Sequence, residues 1–116
     1  MAFSQDYLEF ILEQLEDFGE ILPKKMFGGV GFYKEGVMFG GIMGGTFHLK
    51  VDAETRPTYE QAGMTSFFEN PKSKTKPKYY AVPIAIIEDK TKLAVWAEQA
   101  YQIAVATKKV KKKKGK

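Results

Sequence analysis

Eight of the chain's 11 glycines fall between positions 28 and 45. A stretch this rich in glycine does not hold a helix, because each interior glycine costs about 1 kcal/mol relative to alanine. The residues between the glycines, among them Val30, Phe32, Tyr33, Val37 and Phe39, are β-branched or aromatic. The pattern therefore predicts short strands joined by tight turns from Lys24 to Asp52, with Lys34-Glu35-Gly36 and Met43-Gly44-Gly45 as turns between three of them. The third strand alternates, Phe47, Leu49 and Val51 facing one way and Thr46, His48, Lys50 and Asp52 the other, which predicts one covered face and one wet face. Glycine inside a strand weakens it unless a bulge or a close backbone approach requires it. A helix or a bulge is expected to sit close to the sheet there.

The flanking segments have helical spacing. Leu8, Ile11, Leu12, Leu15 and Phe18 recur every three or four residues between acidic positions, predicting an amphipathic helix over residues 4–18, capped by Ser4 and stopped by Gly19 and Pro23. Residues 53–62 read as a short helix with Pro57 in its first turn and Gly63 at its end. Thr65 to Glu69 is expected as a fourth strand and Tyr79 to Val82 as a fifth, with a Lys/Pro hairpin connection over 70–78. Asp89 is positioned to cap a last helix with the stripe Leu93, Trp96, Ala97, Ala100, Ile103 and Ala104. The predicted order is helix, three strands, helix, two strands, helix. This is a two-layer α+β fold with an antiparallel five-stranded sheet covered on one face.

At 116 residues and 44% hydrophobic, the sequence supports one domain with a real core. No apolar run is long enough to cross a bilayer, no basic-then-apolar leader pattern opens the chain, and cysteine is absent, so a cytoplasmic setting without a membrane partner is expected. The formal charge of +4 is unevenly held: seven of the 18 basic residues, Lys108, Lys109, Lys111, Lys112, Lys113, Lys114 and Lys116, lie in the last nine positions. The remainder carries 11 basic against 14 acidic residues and is mildly acidic. The division expected is a folded domain over 1–107 and a disordered lysine-rich tail over 108–116. Lysines without arginines or aromatics hold phosphates but do not read bases, so nucleic acid would bind the tail non-specifically and in a salt-dependent way. A second basic segment, Lys72, Lys74, Lys76 and Lys78 ahead of Tyr79 and Tyr80, could hold phosphates and stack on bases, or could simply guard a sheet edge.

No catalytic, cofactor or metal site emerges. Gly28-Gly29-Val30-Gly31 is not G-x-G-x-x-G, and Gly40 to Gly45 before Thr46 has P-loop glycine spacing but lacks the lysine. His48 is the sole histidine, so no histidine pair can hold a metal, and on the polar side of its strand it reads as a solvated surface residue rather than a general base. Glu88 and Asp89 read as a helix start. Phe3 and Phe10, on the outward side of the first helix, mark a candidate partner surface.

The segment from Lys25 to Phe39 carries Met26, Phe27, Gly28, Gly29, Gly31, Tyr33, Gly36, Met38 and Phe39 in a pattern that closely resembles the TfoX/Sxy N-terminal domain family. Further matching positions are Lys50 and Asp52 in Leu-Lys-Val-Asp, Thr55-Arg56 with Gly63, and Tyr80, Pro83, Asp89, Leu93, Trp96 and Ala97 in the closing segment. The resemblance spans about residues 20 to 104 and implies a fold similar to type III secretion chaperones. The family takes its name from bacterial regulators of natural competence, which promote transcription of DNA-uptake genes together with the cyclic-AMP receptor protein. The resemblance thus implies a regulatory module that contacts another protein, a transcription regulator, and the lack of a catalytic constellation in the sequence makes a non-enzymatic one the expectation. A small-ligand binder or enzyme using the glycine-rich sheet, and a chaperone-like homodimer, are the alternatives.

Overall fold

The computed structural model describes residues 4–114 apart from positions 27, 69, 71 and 73–75, with side chains as far as position 108. Helix α1 spans Gln5–Gln14, and the Ser4 hydroxyl oxygen accepts from the Tyr7 N–H at 3.0 Å. It is shorter than the spacing predicts. Residues 15–18 form a turn instead, yet Leu15 and Phe18 stay buried, and the turn brings the Phe18 ring edge-on to Phe39 at 5.1 Å.

Strands β1 (Leu22–Met26), β2 (Gly29–Lys34), β3 (Val37–Met43) and β4 (Thr46–Lys50) form a continuous antiparallel meander, and β5 (Tyr79–Ala81) pairs with β4. The α+β class and the five-stranded antiparallel sheet stand as expected; the distribution along the chain is corrected from three plus two strands to four plus one. The first expected strand, which opens at Lys24, is two strands, and the one not counted is β1. Pro23, Lys24 and Lys25 disguise it, and they are the residues that protect an edge strand from pairing with another chain. The expected strand at 65–69 is absent over its described residues: Phe67 and Phe68 form a turn that crosses the sheet's outer face, while Glu69 lies outside the described residues. Residues 70–78 consequently do not connect a hairpin.

Two helices follow the sheet's inner face after α2 (Arg56–Gln61), which has Pro57 in its first turn and Gly63 at φ +81° behind it. These are the short α3 (Ile84–Ile87), which the periodicity misses, and α4 (Lys90–Lys114), started by Asp89 Oδ1 accepting from the Lys92 N–H at 3.1 Å. Buried Leu93, Ala97, Ala100 and Ala104 form the stripe by which α4 lies against β3 and β4. Where the sequence predicts a disordered tail from Lys108, the backbone continues the helix to Lys114; the side chains of Lys109, Lys111, Lys112, Lys113 and Lys114, and all of Lys116, lie outside the described residues.

Between sheet and helices, Val30, Phe32, Phe39, Ile42, Phe47 and Leu49 are almost wholly buried with Leu8, Ile11, Leu15 and Leu93. The alternation breaks once. Phe32 pairs with Gly40 but Tyr33 pairs with Met38, so Phe39 is an extra residue of β3, a bulge that turns Phe39 and Gly40 to the same inner side. A Cβ on Gly40 would stand 3.0 Å from Leu49 Cδ2 and 2.5 Å from the His48 carbonyl oxygen. The bulge anticipated from the glycines is therefore present, but the close neighbour is the adjoining strand rather than a helix.

Candidate binding cleft

The outer face of the sheet is not uniformly wet. On β4, Thr46 is exposed as expected, but His48 and Lys50 are buried, with His48 only 2% exposed. The expectation of a solvated surface histidine is thus corrected, and the cause is the segment 64–68 lying across this face. His48 Nδ1 donates to the Thr46 carbonyl at 2.8 Å, and Nε2 accepts from the Phe67 N–H at 3.0 Å. These partners select the neutral Nδ1–H tautomer. Burial pulls its pKa below the ordinary histidine value, and the Thr46 bond offsets part of that.

The histidine fixes one wall of a cleft of about 380 Å³. The same crossing segment is held by the Ala81 N–H donating to the Thr65 carbonyl at 2.9 Å and by buried Ser66, whose hydroxyl accepts from the Phe68 N–H at 3.0 Å. Phe67 and Phe68 point outward, 62% and 49% exposed, with their rings edge to face at 5.4 Å; Phe68 lies 6.3 Å from Tyr79. Met26, Met38 and Met43 line most of the remainder with Val30 and Ile42, and the floor includes the bare backbone of Gly28, Gly29 and Gly44. A Cβ on Gly44, which sits at φ +60°, would lie 2.3 Å from the Phe67 ring. Among the described residues, no side chain lining the cleft carries a charge.

The residues of the recognisable pattern divide between this cleft and the frame around it. Met26, Gly28, Gly29 and Met38 line the cleft, and Gly31 lies beneath the Met26 and Met38 tips. Tyr33 lies under the Lys24 ammonium, 4.9 Å from ring centre to Nζ, and Lys50 Nζ stands 5.0 Å over the Tyr79 ring. Burial, with a contribution from nearby Tyr33, raises the Tyr79 pKa. Gly36 at φ +81° makes the β2–β3 turn. Asp52 Oδ1 accepts from the Glu54 and Thr55 N–H groups and the Thr55 hydroxyl. Burial raises the Asp52 pKa, but those Thr55 and Glu54 bonds prevail and hold the carboxyl below its ordinary value. Tyr80 is buried and donates from its hydroxyl to Glu60 at 2.8 Å, Pro83 leads into α3, and Trp96 packs edge-on to Tyr59 at 4.8 Å. Phe27 lies outside the described residues.

The other anticipated residues do not join the cleft. Lys72, Lys76 and Lys78 are exposed, as is Lys108, while Lys74 lies outside the described residues. Phe10 is exposed on α1 and Phe3 lies outside the described residues. Sequence reasoning missed Met43, Phe67, Phe68 and Tyr79 as walls. The signal available for two of them was the adjacent pair Phe67-Phe68, since neighbouring residues of a strand on a one-sided sheet cannot both be covered. Among the described residues, no cluster of three histidine, cysteine or carboxylate groups could hold a metal ion, and no helix is long and apolar enough to cross a membrane.

The fold and cleft together define a small two-layer α+β module whose sheet buries one face under helices and carries an apolar recess on the other. The chain belongs to the TfoX N-terminal domain family, whose profile matches residues 13–104, from the end of α1 to a point in α4 ahead of the lysine run. A search of curated proteins finds no match.

Proposed function

We propose that the chain is a non-enzymatic regulatory module of TfoX N-terminal type, acting in the cytoplasm by contact with another protein. The lysine run adds non-specific attraction for nucleic acid. Family membership supports the regulatory part. The observation that carries the non-enzymatic part is the bonding of His48: the one histidine of the chain has both ring nitrogens occupied by backbone groups and supports a wall of the fold.

The test uses the full chain and a form ending at Thr107, each measured for binding to the cyclic-AMP receptor protein and, separately, to duplex DNA across a salt series. The reading expects protein contact by both forms and salt-dependent DNA retention by the full chain alone, with a log–log slope of up to about six if all seven lysines meet phosphates. If neither form retained protein or DNA, the reading would fail; an unchanged slope on truncation would move the DNA contact to Lys72, Lys74, Lys76 and Lys78.

A further inference from the structure

We propose that the cleft on the outer face of the sheet is a binding site for a flat, uncharged, apolar small molecule about the size of two or three fused rings. The inference goes beyond the regulatory contact and does not depend on it. Size is the first ground. At about 380 Å³ the cleft lies at the small end of the range of roughly 300–1,000 Å³ typical of ligand sites, too small for a folded segment of a partner.

Shape and chemistry then select the occupant. Glycine backbone at Gly28, Gly29 and Gly44 leaves a floor without side-chain relief, which favours a planar face against it. The walls are ring surfaces and thioethers: Phe67, Phe68 and Tyr79 offer edges and faces to a ring system, and Met26, Met38 and Met43 can re-pack around its outline. A charged ligand would lose its hydration in this recess, where no charged side chain among the described residues lines the wall to receive it.

The wall is also built before any ligand arrives. Two large exposed phenylalanines on a loop would ordinarily fold inward, yet here His48, the Thr65 carbonyl and buried Ser66 hold that backbone in place across the sheet. Preorganisation of this kind lowers the ordering cost of binding. The structural function of the lone histidine is thereby to keep the recess open.

N-Phenyl-1-naphthylamine, a neutral dye that brightens in apolar surroundings, titrated into the full-length chain tests the site. Saturable binding of one dye per chain is expected, displaced by naphthalene at concentrations at least tenfold below those needed for 2-naphthoate or 1-decanol. Phe67→Ala and Phe68→Ala should each weaken dye binding at least tenfold, whereas Ile84→Ala and Val95→Ala, at exposed apolar positions elsewhere, should leave it unchanged. A second measurement needs no variant: with methyl-labelled methionine, naphthalene should shift the resonances of Met26, Met38 and Met43 and leave Met64 in place. Non-saturable binding, equal displacement by the carboxylate or the alkyl alcohol, insensitivity to both phenylalanine variants, or shifts confined to Met64 would each overturn the proposal. So would a chain that sediments at twice its mass and excludes the dye, since a second copy would then cover this face.

Discussion

His48 offers an unusually clean thermodynamic test, because the chain contains no other histidine to confuse the titration. In the folded protein the ring is neutral: Nε2 accepts from the Phe67 N–H, and a proton there would replace attraction with repulsion inside a site of almost no exposure. The neighbours around the adjoining recess, Thr46, Thr65, Ser66 and Ala81, cannot neutralise an imidazolium, and Lys50, two residues along the same face, adds charge of the same sign. The folded pKa therefore lies below the ordinary value of 6.5. Between the folded value and 6.5 the unfolded chain binds more protons than the native one, so stability is complete above about pH 6.5 and falls as pH drops toward the folded value. The loss is bounded by the case of a native ring that never takes up a proton, at most about 1.4 kcal/mol at pH 5.5 and about 2 kcal/mol at pH 5.0. For a domain of this size, the first corresponds to a melting temperature lower by roughly 6 °C.

Urea unfolding at intervals from pH 7.5 to 5.0, for wild type and His48→Gln, measures this directly. The variant should be less stable throughout, by about 1–3 kcal/mol for two neutral hydrogen bonds lost or weakened, and its stability should be flat across the window. The window stays above the range in which Asp52, with its lowered pKa, contributes a slope of the same sign. A slope that survives in His48→Gln, or a wild type whose stability does not fall between pH 7.5 and 5.5, would refute the neutral, doubly bonded histidine.

Three further perturbations read the frame. Gly41→Ala places a Cβ 2.3 Å from the Val30 carbonyl oxygen, a backbone atom that cannot swing aside, and should cost roughly 1–3 kcal/mol or more by chemical denaturation. Phe39→Ala empties the bulge position that meets the Phe18 and Phe32 rings at 5.1 and 6.5 Å, and a loss of about 3–5 kcal/mol in the same assay is expected. Asp89→Ala removes the acceptor for the Lys92 N–H at the start of α4 and should cost about 1 kcal/mol, read as a lower melting temperature with no change in dye binding.

The helical layer was legible because its evidence is periodic and local: apolar residues every three or four positions on α1 and α4, with Ser4 and Asp89 at their starts, mark which face is buried. The inner face of the sheet was legible for the same reason on β4, where Phe47 and Leu49 alternate with polar neighbours. Alternation fails on β3, since a bulge sets Phe39 and Gly40 on one side, and a bulge is a property of two paired strands that neither strand declares alone. It fails in a different way on β1, where an edge strand can be half lysine and proline and still form its ladder.

The cleft was the least legible feature, and the reason lies in how it is assembled. Its glycine floor and three methionines come from residues 26–44, but its aromatic walls arrive from residues 67, 68 and 79, beyond an intervening helix. Thr65 to Phe68 has strand composition, and only the competition between pairing and crossing decides its place. Two interactions fix it: the Thr65 carbonyl takes the Ala81 N–H on the free edge of β5, and His48 Nε2 then takes the Phe67 N–H and draws the chain over the outer face. Neither alternation nor propensity reports a bond between a histidine ring and a backbone amide 19 residues away. The same bond buries His48, so the misreading of the histidine as solvated and the misreading of 65–69 as a strand are one error. Once the segment crosses, a bare glycine trough must lie beneath it: a side chain at Gly44 would strike Phe67, and one at Gly31 would displace Met26 and Met38. The glycines that dominate the sequence thus do two jobs, admitting neighbouring backbone within the sheet and leaving its outer face hollow.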